Sequence, residues 1–344
     1  MSAFPQTRLR RLRRTPSLRR LFDQPVPGPE KFIWPVFVKN GEGCREPIEA
    51  MPGQQRMSPD VLLEELQPVV ESGIGGILIF GLPEADRKTP DGVEACRDEN
   101  VVQTAVRAVR CAYPDLVICT DVCLCAYTSH GHCGPLTPGG AVDNDAANAM
   151  LARTALSHAA AGADIVAPSA MMDGQVAAIR RRLDENGHAD TLIMSYSSKF
   201  ASNMYGPFRE AEQSAPSHGD RKSYQASYAD PRAALRESAL DEAEGADILM
   251  VKPALFYLDI LALAAGAHGP AHRRVQCERR VLHAHRRRRP RLARSARHRA
   301  RNQRRPGPRR GRSLHFLLGE PLPGDVSQWL TWPRPTISSS APNG

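Results

Sequence analysis

Gly162-Ala163-Asp164-Ile165-Val166 is repeated further along the chain as Gly245-Ala246-Asp247-Ile248-Leu249. In each copy a glycine, the residue that most often ends a helix, leads into an apolar run typical of a buried strand. Two helix-to-strand junctions of the same sequence predict repeated βαβ units, which build a parallel sheet. The repeat indicates a (β/α)8 barrel or a doubly wound sheet, and it favours the barrel.

The same alternation of short apolar runs and helical stretches extends from about residue 32 to residue 263. It predicts helices at residues 145–161 and 231–244, and strands at residues 76–80, 116–122, 164–167, 191–196 and 247–251. A chain of 344 residues with 41% apolar residues is long enough for one barrel of about 250 residues with an additional arm. Length alone would equally allow two domains.

The charge of the chain is unevenly distributed. Residues 271–312 hold eighteen arginines, no lysine and one acid, Glu278. The charge of this stretch alone exceeds the net charge of the whole chain, which is +9. The rest of the chain is therefore acidic. A nucleic-acid-binding protein is the rival class that this arginine run suggests, but the run has neither interleaved aromatic residues nor zinc-finger spacing. We expect no nucleic-acid partner.

The chain contains no candidate membrane span, because no apolar run reaches the roughly 18 to 20 residues that one needs. Its basic start, from Thr7 to Arg20, is not followed by the apolar segment of a secretory signal. We expect a soluble, cytoplasmic protein, and a mitochondrial presequence is the alternative interpretation of this start.

Three of the eight cysteines, Cys123, Cys125 and Cys133, lie within eleven residues of one another on a glycine-containing segment. In a reducing compartment such a cluster favours a metal over disulfides. Three thiolates suit zinc and leave a fourth position open for water or substrate, which is the pattern of a catalytic site. Buried structural cysteines are the alternative. His132 is either a further ligand or an exposed turn residue.

Two lysines follow predicted strands: Lys199 after the strand at 191–196, and Lys252 after the strand at 247–251. Active sites of parallel barrels lie at this end of the strands. A desolvated lysine beside a second cation can attack a ketone and form a Schiff base. Either lysine alone could instead form a salt bridge, whereas a pair on two neighbouring strands favours the catalytic interpretation.

Arg209, Arg221 and Lys222 lie on a long segment after the Lys199 strand. Because guanidinium groups bind carboxylates with paired hydrogen bonds, this segment predicts a lid over an acidic substrate. A basic, solvated loop is the alternative.

These stretches together resemble the porphobilinogen synthase (delta-aminolevulinic acid dehydratase) family in its zinc-type variant. The resemblance covers most of residues 8–263 and is most specific at residues 10–21, 37–38, 51–53, 121–134, 195–200, 205–209, 220–225 and 250–254. It implies a lyase on a (β/α)8 barrel that condenses two molecules of 5-aminolevulinate into porphobilinogen, with loss of two waters, in haem biosynthesis. A class I aldolase would account for Lys252, but not for the cysteines or the second lysine.

The resemblance also implies a role for each residue of the site. Lys252 would form the Schiff base with the first substrate, Lys199 would hold or activate the second, and Asp121 would assist proton transfer. Cys123, Cys125 and Cys133 would bind the zinc, while substrate carboxylate would be contacted by Arg209, Arg221 and Gln225. Glu237 matches a position that binds an allosteric magnesium in some members, and the N-terminal arm would support a homo-octamer.

The resemblance stops after Leu263. Two family landmarks, a Tyr-x-Val-Ser-Gly-Glu-Tyr segment and a later Gly-Ala-Asp-Leu-Ile-x-Tyr-Phe strand, are absent, and the arginine run stands in their place. Arginine, proline, alanine, glycine and histidine without lysine is the composition that GC-rich coding DNA gives when it is read out of frame. This composition predicts a frameshift.

Residues 275–283 can be written GTA CAA TGT GAG CGG CGA GTA CTC CAT, followed by the G of Ala284. Read one base later, this sequence encodes Tyr-Asn-Val-Ser-Gly-Glu-Tyr-Ser-Met, the first missing landmark. Residues 310–317 can be recoded in the same shift as Gly-Ala-Asp-Leu-Phe-Ile-Ser-Tyr, a third copy of the opening repeat. Two matches in one shift predict that the frame is lost near residues 264–269 and regained near residues 318–324.

The predicted organisation is an N-terminal arm (1–31), a barrel catalytic domain (32–263), an out-of-frame arginine-rich segment (264–324) and a C-terminal tail (325–344). Because the lost segments would have supplied the last barrel strands, we expect those strands to be disrupted. The chain as translated would then be inactive.

Overall fold

The computed structural model describes residues 6–23, 26–267, 275–278 and 315–317. The strands are β1 (Phe32–Lys39), β2 (Arg45–Pro47), β3 (Gln55–Met57), β4 (Gly76–Leu82), β5 (Val117–Val122), β6 (Ile165–Pro168), β7 (Leu192–Lys199), β8 (Ile248–Lys252), β9 (Val275–Glu278) and β10 (His315–Leu317). The α-helices are α1 (Pro16–Phe22), α2 (Pro59–Glu71), α3 (Val101–Ala112), α4 (Asn144–Ala161), α5 (Gln175–Glu185), α6 (Gly206–Ala211), α7 (Pro231–Ala243) and α8 (Leu258–Ala267).

Short 3₁₀ helices complete the regular structure, at Leu9–Arg13, Pro29–Lys31, Ala85–Arg87, Val93–Cys96, Asn203–Tyr205 and Ala254–Phe256. Within the described ranges, no helix is long and apolar enough to cross a membrane.

The parallel strands follow one another in the order β1, β4, β5, β6, β7, β8, β9, β10. β10 pairs in parallel with both β9 and β1, and its register with β1 joins Phe32 to Phe316 and Ile33 to Leu317. The eight parallel strands therefore have the strand order of the (β/α)8 barrel that the sequence predicts, and the last two, β9 and β10, are only four and three residues long. The antiparallel β2 and β3 extend the sheet beside β1.

Alternating strand residues divide the core into two layers. Ile77 and Ile79 of β4 pack outward against the surrounding helices, whereas Leu78 and Phe80 of the same strand pack inward with Met194 of β7. A period of two is what a pleated strand imposes, and it fills the barrel interior with side chains. At the end of each strand, side chains on the inward-facing positions are therefore directed toward the barrel interior, and those on the alternate positions are directed away from it.

The repeated Gly-Ala-Asp stretch is a structural repeat. Gly162 and Gly245 end the preceding helical segments with φ of 110° and 106°, a left-handed conformation in which a side chain would be strained. Asp164 accepts a hydrogen bond from the Ile118 N–H of β5, and Asp247 accepts one from the Ile193 N–H of β7, each at 2.8 Å. Each carboxylate thus fixes the start of its own strand to the neighbouring strand.

Gly81 of β4 provides a test of packing beside the site. A Cβ atom at this position would lie 2.3 Å from Val102 Cγ2 and 2.4 Å from Tyr127 Oη. We expect Gly81→Ala to lower the free energy of unfolding by about 1–3 kcal/mol, because buried neighbours would have to move. Thermal unfolding would show this loss, and Gly139→Ala, whose nearest neighbouring atom is 3.8 Å away, should leave the midpoint unchanged. Equal midpoints for the two variants would contradict the packing argument.

Candidate active site and metal centre

Asp121, Lys199 and Lys252 lie at the carboxyl ends of β5, β7 and β8, where the sequence places them. The register pairs Lys199 directly with Lys252 across the two strands. Simple alternation from Tyr196 would direct Ser198 inward, but the register shifts between Ser195 and Ser198. Ser198 instead donates to the Ala234 carbonyl of α7, and Lys199 is directed toward the interior. Such a bulge is a common way to re-aim a side chain beside an active site.

Lys252 lies in an aromatic pocket and is 1% exposed. Its Nζ lies 4.2 Å from the ring centre of Phe208 and 4.9 Å from that of Tyr196. Phe80 and Tyr205 complete the pocket at 5.9 Å each. A lysine held among aromatic rings and shielded from bulk water is the kind of nucleophile that enzymes direct at a carbonyl carbon.

Lys199 is 6% exposed, and its Nζ donates to the Ser169 carbonyl at 2.5 Å. Its Nζ also lies 5.5 Å from the centre of the Tyr196 ring, so both lysines face the same ring. Burial raises the pKa of Asp121 to about 6, although the charge of Lys199 opposes this rise. A carboxyl group in that range can both accept and return a proton near neutral pH.

The three predicted thiols converge. The sulfur atoms of Cys123, Cys125 and Cys133 all lie within 4.8 Å of one another, and those of Cys123 and Cys125 are 3.4 Å apart. Hydrogen bonds from Cys123 and Cys125 lower the pKa of the Cys133 thiol well below its usual value, and the nearby charges of Arg221 and Lys199 act in the same direction. The cluster is buried and presents the soft donor set that favours zinc.

Glu212, which the sequence analysis missed, lies beside this cluster. It is 4% exposed, its Oε2 lies 3.9 Å from Cys125 Sγ, and Ser214 Oγ donates to the same oxygen at 3.2 Å. Burial raises the pKa of this carboxyl well above its ordinary value, and the charges of Cys125 and Asp121 add to the rise. The sequence pattern gives no signal for it, because only the tertiary packing shows which acid of this segment is buried.

Arg221 joins the segment after α6 to the cysteine segment. Its Nη2 donates to the carbonyls of Gly131, at 2.9 Å, and Ser214. Arg209 Nε and Gln225 Oε1 are buried polar atoms with no hydrogen-bond partner among the described residues. Arg221 Nε is likewise buried without a partner among these residues. The three predicted substrate contacts therefore lie on one segment, and each of them offers an atom to a ligand.

His132 has neither of the roles expected from the sequence. It is 5% exposed, so it is not an exposed turn residue. Its Nδ1 lies 3.2 Å from Tyr224 Oη and its Nε2 lies 3.1 Å from the His218 carbonyl, so both ring nitrogens are engaged away from the thiol cluster. The imidazole instead links the cysteine segment to the segment that follows α6.

Glu237 is half-buried on α7 and lines a cavity of about 440 Å³ together with Asp173 and Gln225. Burial raises the pKa of its carboxyl, and the charges of Asp173 and Glu244 add to the rise. Two carboxylates and an amide around one cavity are oxygen donors of the kind that magnesium binds.

Comparison with known proteins gives one consistent result. A family model described as "Delta-aminolevulinic acid dehydratase" matches residues 6–271. Curated proteins of that name from Synechococcus elongatus, Methanothermobacter thermautotrophicus and Escherichia coli are 49%, 52% and 48% identical. Their alignments cover 75%, 75% and 74% of this chain and 79%, 78% and 77% of the relatives.

A similar solved structure is that of delta-aminolevulinic acid dehydratase (porphobilinogen synthase) from Toxoplasma gondii in complex with the reaction product porphobilinogen. The two chains are 38% identical with a TM-score of 0.76, over 80% of this chain and 78% of the other.

Proposed function

The chain belongs to the delta-aminolevulinic acid dehydratase family, and we propose that it carries out the family's reaction through Lys252, Lys199, Asp121 and a zinc ion bound by three cysteines. The reaction condenses two molecules of 5-aminolevulinate into porphobilinogen. One observation carries the assignment of the site: the two buried lysines lie side by side in register above the Tyr196 ring, next to a buried carboxyl and a thiol cluster.

The lysines supply the covalent chemistry. Lys252 Nζ attacks the ketone carbon of the first substrate, and water leaves as the Schiff base forms. The aromatic rings around Lys252 keep bulk water away from this bond. Lys199 holds the second substrate beside the first, while Asp121 takes and returns protons at its carboxyl oxygen. Pairing two substrates in fixed positions is itself a large catalytic contribution.

The donor set fits the zinc that the family resemblance implies. Three buried sulfurs within 4.8 Å of one another are spaced as ligands of one tetrahedral ion, with a fourth position left for another molecule. When bound, the ion supplies Lewis-acid polarisation of a substrate oxygen. Cys123, Cys125 and Cys133 would hold it.

Removal of one thiol tests the metal proposal. We expect Cys133→Ser to weaken zinc binding by roughly a hundredfold or more, because it removes a direct ligand and the loss should exceed that of an outer-shell partner. Competition with a chromophoric chelator measures the affinity, and elemental analysis gives the stoichiometry. Cys111→Ser, at an exposed position away from the cluster, is the matched control. Equal zinc affinity in the two variants would contradict a three-cysteine site.

Substrate carboxylate is expected at Arg209, whose buried Nε is a donor without a partner among the described residues. Gln225 would donate to the carboxylate through its amide NH₂, since its Oε1 can only accept a hydrogen bond. Arg221 contributes positive charge while its Nη2 holds two loops together. A loop fixed in this way excludes water from a bound acid and strengthens its ion pairs.

The remaining proposals rest mainly on the family resemblance. Glu237, with its oxygen-lined cavity, is proposed as an allosteric magnesium ligand. The basic arm at residues 1–31 is proposed to support a homo-octamer. We propose cytoplasmic residence, with 5-aminolevulinate as the small-molecule partner and no nucleic-acid partner.

We also retain the frameshift across residues 264–324 as a proposal. The family match ends at residue 271, near the predicted loss of frame, and the curated relatives named above extend beyond the part that aligns. β9 (Val275–Glu278) falls on the stretch that recodes to Tyr-Asn-Val-Ser, and β10 (His315–Leu317) on the stretch that recodes to Ile-Ser-Tyr. The end of the family match and the positions of β9 and β10 support a barrel domain at 32–263 whose last strands are encoded in a shifted frame, followed by a tail at 325–344.

A further inference from the structure

We propose that Glu212 is a positioning residue of the metal centre, which acts through Cys125. The inference rests on the proposed three-cysteine site and adds a residue to it. Glu212 is buried, and its Oε2 lies 3.9 Å from Cys125 Sγ. Among the described residues, no lysine or arginine lies within 4.0 Å of this carboxyl group, so it is not held in the interior by an ion pair.

The cost of this placement indicates that it has a use. Burial of a carboxyl group without a cationic partner is unfavourable, and Ser214 Oγ supplies one hydrogen bond as partial compensation. The next residue, Gln213, has φ of 49°, one of only two non-glycine residues in the described part of the chain with positive φ. Strained backbone of this kind persists where the surroundings enforce it, and often at functional sites.

The surroundings do enforce it. Arg56 of β3 donates through Nε to the Ala211 carbonyl at 2.8 Å and through Nη2 to the Glu210 carbonyl at 2.6 Å, which fixes the last turn of α6. Lys88 Nζ donates to the Gln213 carbonyl at 2.9 Å on the other side of Glu212. Glu212 is therefore held between two anchored peptide groups, and its carboxyl group reaches Cys125 from a rigid base.

This arrangement matches the outer-shell pattern of metal sites, in which a ligand is oriented by a neighbour that does not itself bind the ion. Of the three sulfurs, that of Cys125 is the one that Glu212 contacts within 4.0 Å among the described residues. The same turn continues to Ser214, whose carbonyl binds Arg221, so the metal centre and the substrate segment are connected through Glu212.

The test compares metal binding by the full chain and its variants, with zinc affinity from chelator competition and the cobalt–thiolate absorption as readouts. We expect Glu212→Ala to weaken zinc binding by about tenfold or more and to reduce the cobalt–thiolate band. Glu212→Gln, which keeps the length of the side chain and can donate to sulfur, should restore most of both. Glu210→Ala is the matched control, because Glu210 lies in the last turn of α6 and its exposed side chain accepts a hydrogen bond from the Ala50 N–H, while its backbone bonds are kept in the variant.

Zinc affinity and cobalt absorption unchanged in Glu212→Ala would overturn the proposal. Equal losses in Glu212→Gln would also overturn it, because charge and not contact would then decide the affinity. If Glu212→Ala does not fold, Glu212→Asp replaces it: this variant withdraws the carboxyl from Cys125 and should bind zinc more weakly, whereas full affinity, or unfolding of both variants, rejects the idea. Absence of zinc binding by the unchanged chain would instead reject the three-cysteine site itself.

Discussion

Restoration of the reading frame across residues 264–324 is expected to raise pyrrole formation from 5-aminolevulinate from background to a turnover of the order of 1 s⁻¹ or above. The comparison uses the chain as translated and a frame-restored chain that are identical over the region matched by the family model before the shift. A colorimetric assay for porphobilinogen measures both, and resequencing of the gene across 264–269 and 318–324 identifies the lost and regained bases.

The size of the effect follows from what the barrel requires. The ring of parallel strands is completed by β9 and β10, and β10 must pair with β1 on the far side. In the chain as translated, β9 and β10 are only four and three residues long. Where such short strands open, backbone groups along two strand edges lose their partners. Between and around these strands the chain as translated supplies eighteen arginines and a single acid, and burial of such charges is strongly unfavourable. Because folded proteins are stable by only about 5–15 kcal/mol, the out-of-frame segment should destabilise the last strands and leave the chain as translated inactive.

A chain ending at residue 263 separates the two causes. It should be as inactive as the chain as translated, since both lack the in-frame strands, and it lacks the arginine run. Comparable turnover by the translated and restored chains would refute the frameshift, as would an unshifted open reading frame that encodes the arginine run in the resequenced gene.

The strands that form the site could be predicted closely from the sequence. The predicted strand at residues 164–167 is observed at Ile165–Pro168, and that at 247–251 is observed at Ile248–Lys252. Both are buried on both faces, so each has a continuous apolar run with a sharp boundary. The Gly-Ala-Asp repeat marked these boundaries because its glycine and aspartate have the same local contacts in both copies.

Other features of the site depend on tertiary contacts that local patterns do not encode. The bulge in β7 that directs Lys199 inward contains no glycine or proline from which it could be predicted. Glu212 is one of several acids in its segment, and only the anchors from Arg56 and Lys88 make it the buried one. His132 was predicted to be a ligand or an exposed residue and is neither, because the segment after α6 folds over it.

Substitution of Lys252 should have the second large effect. In the frame-restored chain we expect Lys252→Met to lower kcat/KM by about 10⁴-fold or more. Lys252 Nζ lies against the Phe208 and Tyr196 rings, whereas the neighbouring amine of Lys199 is held by the Ser169 carbonyl. Methionine has a similar volume and no charge, so the buried pocket should remain packed and the thermal midpoint should not fall. Reduction with borohydride in the presence of 5-aminolevulinate should add one substrate to the peptide that contains Lys252 in the unchanged enzyme and none in the variant.

Two further variants make the assignment specific. Lys199→Met should also lose turnover but should still trap substrate at Lys252, because Lys199 is expected to hold the second substrate and not the first. Lys39→Met, which removes an amine at the end of β1 that is ion-paired with Glu46 at 3.0 Å, should retain both turnover and trapping. Trapping at Lys199 with none at Lys252 would reverse the roles of the two lysines. Unaltered turnover in Lys252→Met would exclude a required Schiff base at Lys252 and would leave Lys199, which also faces the Tyr196 ring, as the remaining amine.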